Sequence, residues 1–291
     1  MINRLLAAAL AFAALCLANL AALAAADPYA SDWNRGQKAA ARLIAAGAPG
    51  GGVQAGIEIA LEAKTHTYWR VPGDAGVPPV VSFEGSTNLA SAELLFPAPL
   101  RLIEEGAVIF GYEGDVVLPL VVIPTDMTKP VSLKVKINYA ACERICVPVE
   151  ASLALVLPGD GKAGPNAALL ADALARVPQT RALAAAGPLA LLGLSYGTGD
   201  GTATGKPRFG VDVRVPEAAK TVTLLPLAAE GWFLVIAPGV ATGPGLWHFA
   251  VSVDDMPKDG GSAPVATSFV LIADDRAIEV ATTLDAGRLK P

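Results

Sequence analysis

The chain has 291 residues, 53% of them hydrophobic, with 22 basic against 27 acidic residues and a net charge of −5. An acidic balance argues against nucleic acid as a partner, and a chain this long and apolar can bury a large core without cross-links to hold it. With three cysteines in 291 residues, it is no disulfide-scaffolded mini-protein.

The first predicted element is a leader. Met1-Ile2-Asn3-Arg4 precedes an apolar run from Leu5 to Leu23 and a small-residue exit at Ala24, Ala25 and Ala26, the pattern of a secretory signal peptide over residues 1–26. Its removal takes Cys16 with it and leaves Cys142 and Cys146 in an oxidising compartment, where they are a potential disulfide. No later run is long and apolar enough to span a bilayer. Over residues 37–46 the alanines predict a helix by propensity alone. Residues 53–63 alternate, with Val53, Ala55, Ile57, Ile59 and Leu61 against Gln54, Glu58 and Glu62, and predict a strand. Residues 71–79, punctuated by Pro72, Gly73, Gly76 and Pro78, are expected to hold no regular structure.

Strands are expected over 89–96, 114–123 and 131–139, the last with Leu133, Val135, Ile137 and Tyr139 on one face, and again over 151–157. Short strands with Pro and Gly turns between them point to a β-sandwich. Residues 158–165 read as a linker. A helix over 166–177 stops before Pro178, and strands are expected over 208–215, 221–226, 232–237, 246–253 and 267–272. The expected organisation is all-β: a signal peptide at 1–26, a cysteine-bearing sandwich at 27–157, and a linker, short helix and second small β-domain at 158–291.

The chemistry rests on Cys142 and Cys146, which flank a turn between two strands and can bridge if their Cα atoms approach within about 7 Å. Closing a ring of about five residues removes only roughly 2 kcal/mol of unfolded-state entropy, so the pair makes a poor staple. Three uses stay open: a pair that switches between dithiol and disulfide, a static disulfide, and two thiolates for soft Cu(I). Zinc normally takes four ligands, and His66 and His248 fall in different predicted halves. Inside the ring, Arg144 favours a thiolate and Glu143 opposes it. No Ser-His-Asp set, phosphate loop or catalytic carboxylate pair stands out, and no cofactor or resident metal is expected.

Three blocks in order, residues 67–79 (TYWRVPGDAGVPP), 88–99 (NLASAELLFPAP) and 139–148 (YAACERICVP), resemble the amino-terminal periplasmic domain of the thiol:disulfide interchange protein DsbD, and more closely its ScsB-type relatives. The resemblance covers residues 65–157. It implies an immunoglobulin-like sandwich in the periplasm, a thiol-disulfide oxidoreductase activity, and Cys142 and Cys146 as a redox pair with Cys146 the site of the mixed disulfide. It also implies an aromatic cap over the pair, for which Phe110 and Tyr112 are the candidates, and Trp69 and Tyr139 are candidates for a docking surface near the thiols. The implied partners are a membrane electron-conduit protein and thioredoxin-like or other exported thiol proteins. The 291 residues include no conduit and no thioredoxin-like domain of their own, so the donor is expected to be a separate membrane protein. A copper-binding or otherwise non-catalytic binding module is the alternative.

Overall fold

The computed structural model describes residues 27–47, 53–157, 163–196, 206–257 and 264–289. The expected signal peptide and part of the expected linker lie outside these residues. In the first half eleven strands run in chain order: β1 (Asn34–Arg35), β2 (Ala39–Gly47), β3 (Val53–Leu61), β4 (His66–Gly73), β5 (Val80–Ser82), β6 (Leu89–Leu94), β7 (Leu100–Glu104), β8 (Ala107–Glu113), β9 (Val116–Pro124), β10 (Val131–Cys142) and β11 (Cys146–Leu157). They form two sheets, ordered β1-β2-β3-β9-β6 and β11-β10-β4-β8-β7, with β5 added to β10. This is an immunoglobulin-like β-sandwich.

Residues 39–47 correct the helix expected over 37–46. Strand β2 is buried on both faces: Ala41, Leu43 and Ala45 belong to the inter-sheet core, while Ile44 and Ala46 pack under the helix α1 (Ala167–Ala175) with Leu170 and Ala173. A strand covered on both sides loses polar alternation, and burial overrides alanine's helical preference. Gly56 on β3 lets the helix sit close, because a Cβ there would meet Leu170 at 2.6 Å. The expectation for residues 71–79 is corrected in part, since β4 continues through Val71 and Pro72 to Gly73 before the chain leaves the sheet.

The second half holds β12 (Gln179–Arg181), β13 (Ala190–Ser195), β14 (Arg208–Arg214), β15 (Val222–Leu227), β16 (Phe233–Ile236), β17 (Val240–Gly243), β18 (Leu246–Asp255), β19 (Pro264–Ala273) and β20 (Arg276–Asp285). Its sheets are ordered β12-β20-β19-β15 and β13-β14-β18-β16, with β17 on β18. Phe209, Val211, Val213, Phe249, Val251, Phe269 and Leu271 fill its core. The halves pack on each other: Leu225, Val270, Ile272 and Ala277 join the core of the first, Arg70 pairs with Glu279, and the Ala98 amide donates to the Arg176 carbonyl at 2.8 Å. No helix among the described residues is long and apolar enough to cross a membrane.

Candidate functional site

The longest ladder in the first half ends at the cysteines. Strands β10 and β11 pair in unbroken register from Val131↔Leu157 to Cys142↔Cys146, and the alternation of Leu133, Val135, Ile137 and Tyr139 fixes which face meets the core. Cys142 and Cys146 are joined as a disulfide with Cα atoms 4.0 Å apart. The two sulfurs are not equivalent. Cys142 is 0% exposed and packs with Tyr68, Ile109 and Ala140, whereas Cys146 is exposed.

Strands β4 and β7 bring three further groups to the pair. Cys142 faces His66 across the β10–β4 pairing, and Tyr68, two residues on, shares the face of His66. The Tyr68 hydroxyl lies 3.4 Å from the Sγ of each cysteine and donates to Glu104 Oε2 at 3.2 Å. Glu104 Oε2 is 3.6 Å from His66 Nε2, and the His66 and Tyr68 rings meet edge to face with centroids 5.4 Å apart. Burial, the Glu104 charge and its hydrogen bond push the Tyr68 pKa up to about 12. The phenol therefore stays protonated at neutral pH, its one proton on Glu104 in the disulfide form and able to turn to a thiolate when the bond opens. Gly76, at φ +108°, packs on the Tyr68 ring so closely that a Cβ would meet it at 2.3 Å, and the loop after β4 so covers the tyrosine.

Outside the ring the surface is open. Ile145, 74% exposed, lines a hollow with Ile103, Glu104, Glu105, Glu143 and Arg144. Glu143 pairs with Lys38 at 2.9 Å; the hydrogen bond and charge of Lys38 hold its carboxyl below the usual range. The carboxylate expected to oppose a thiolate is thus partly neutralised from the β1–β2 turn.

The four aromatics singled out in the sequence lie elsewhere. Trp69, Phe110, Tyr112 and Tyr139 are all buried in the inter-sheet core, with the Tyr112 hydroxyl donating to the Pro97 carbonyl at 2.8 Å. Burial raises the Tyr112 pKa well above its ordinary value and that of Tyr139 to about 12. The aromatic beside the sulfurs is Tyr68, which the sequence reading passed over along with Glu104. Strand parity carried the signal, since Tyr68 alternates with the core residue Trp69; the β4–β10 pairing that turns parity into contact spans about seventy residues of chain. His66 touches this group, whereas His248 pairs with Asp212 at 2.7 Å in the second half. No cluster of three metal-ligating side chains occurs among the described residues.

A family model described as thiol:disulfide interchange protein DsbD, N-terminal, matches residues 36–158, the segment that folds into the first sandwich and carries the disulfide. Residues 36–158 are a DsbD amino-terminal-like domain. The fold as a whole is similar to the crystal structure of the N-terminal periplasmic domain of ScsB from Proteus mirabilis, with a TM-score of 0.66 at 20% identity over 88% of this chain and 98% of that one. That likeness of fold takes in both halves. A conserved domain protein from Bacillus anthracis aligns over 90% of this chain and 93% of that one at 7% identity, with a TM-score of 0.22. Comparison with curated proteins finds no match.

Proposed function

We propose that this is a periplasmic thiol-disulfide exchange protein that passes electrons from a membrane electron-conduit protein to exported thiol proteins through Cys142 and Cys146. The observation that carries the reading is the inequality of the two sulfurs within a DsbD-like domain: one exposed at the hairpin tip, one sealed beneath it. Exchange requires a thiolate to approach a sulfur directly, and Cys146 is the sulfur that an outside group can reach.

In the reduced protein the Cys146 thiolate attacks a client disulfide, forming a Cys146–client bond and releasing one client thiolate. Cys142 then attacks Cys146 Sγ, the client leaves as its second thiolate, and the intramolecular disulfide reforms. The client gains two electrons and this protein loses two. A dithiol on the conduit restores the pair by the reverse sequence, attacking Cys146 and expelling Cys142 as a thiolate beside the Tyr68 hydroxyl.

Trapping tests the reading. Cys142→Ala in the periplasm of living cells is expected to accumulate mixed disulfides through Cys146, and Cys146→Ala to accumulate far fewer; no covalent partner at either position overturns it. The midpoint potential is expected between about −270 and −120 mV, and a value well below about −300 mV marks an inert structural bridge instead.

A further inference from the structure

Between the two halves, away from the disulfide, is a cavity of about 180 Å³. Val71, Val108 and Phe110 line it from the DsbD-like domain, and Leu224, Trp232 and Phe233 from the second sandwich. A wholly apolar cavity of about 150 Å³ accepts benzene; this one, whose walls are part polar, has by volume the room for a single ring or branched chain. Two charged side chains, Asp74 and Arg101, line it. Asp74 is held in place, accepting from the Val108 amide at 2.9 Å, and Arg101 lines the same space.

Arg101 breaks the pattern of its strand. It stands directly across from Phe110 in the β7–β8 pairing, at the exposed edge of the sheet, on a face whose other β7 side chain, Ile103, is apolar and 61% exposed. It has no ion-pair partner among the described residues. A guanidinium offers a planar fork of donors suited to a carboxylate, and a largely apolar pocket with a few placed polar groups is the usual form of a small-molecule site; Asp74, the other charge here, is engaged by the Val108 amide. We infer that this cavity binds a small carboxylic acid with a compact aromatic or branched body, the apolar part entering between Phe110 and Trp232 and the carboxylate meeting Arg101. The site uses both halves, so it gives the second sandwich a role that the sulfur chemistry does not require.

The test is titration of the oxidised full chain with phenylacetate, followed by calorimetry and by Trp232 fluorescence, with Trp232→Phe identifying the optical signal. Saturable binding is expected, weakened about tenfold in Arg101→Gln, as for loss of one charge-assisted hydrogen bond. Neutral phenylacetamide is expected to bind the native protein and Arg101→Gln equally. Ala228→Leu, which extends a side chain into the cavity, is expected to abolish binding while the melting temperature holds. No saturation with the native protein, or equal binding of phenylacetate by Arg101→Gln, overturns the inference. So does a variant that binds normally but self-associates, which would assign Arg101 to guarding the edge strand β7. None of these outcomes depends on the redox activity of the cysteines.

Discussion

Tyr68 and Trp69 are consecutive residues on one strand, both buried, and they serve opposite faces of the same sheet. Trp69 faces inward, where with Phe110, Tyr112 and Tyr139 it fills the space between the sheets. Tyr68 faces outward, where its hydroxyl touches both sulfurs and Glu104. The side chains are similar in size and apolarity; the half-turn between them separates packing from chemistry. In a sandwich with a disulfide at its rim, strand parity says more about an aromatic's role than its nearness to the cysteines in sequence.

The division can be broken from either side. The largest effect is expected from Trp69→Ala, which empties a fully buried site and costs about 3–5 kcal/mol, measured by denaturant unfolding; the surviving folded protein should exchange thiols at the native rate. Tyr68→Phe is expected to do the reverse. It should leave stability nearly unchanged and slow reduction by dithiothreitol about tenfold, because a hydrogen bond to a developing thiolate contributes roughly 1.5 kcal/mol. An unaltered rate would reduce Tyr68 to a cover.

Alkaline pH presses on both faces at once. Tyr68 and Tyr139 have folded-state pKa values raised to about 12 from an ordinary 10.0, so the folded protein keeps protons that the unfolded chain gives up. Their contribution to stability is complete below pH 10 and is lost as pH rises from 10 through 12, which melting curves across that range would show; phenylalanine at either position should flatten the fall. The smallest effect sharpens the contrast. The Tyr139 hydroxyl is buried without a hydrogen-bond partner, so Tyr139→Phe is expected to be neutral or slightly stabilising at pH 7, as thermal melting would report.

What could be read from the sequence follows the same physics. Strands with one wet face, such as β3 and β10, announce themselves by alternation, and the cysteine hairpin lies where two such runs meet. Strand β2 does not, because α1 covers its second face and leaves Ala39–Gly47 without a polar residue except Arg42, which pairs with Glu58. Strands β7 and β8 were missed for a related reason: Arg101 and Gly111 interrupt their patterns. At the site, the cysteines were legible from spacing and resemblance. Tyr68, His66 and Glu104 were not, since they reach the sulfurs only through the non-local pairings β4–β10, β4–β8 and β7–β8.

The unbroken register of β10 and β11 has a mechanical consequence. Opening the bond at its tip leaves the rest of the ladder in place, so the oxidised and reduced proteins should have nearly one shape. Successive rounds of loading and discharge would then need no rebuilding of the architecture, and a visiting protein would meet the same surface whichever way the electrons were moving.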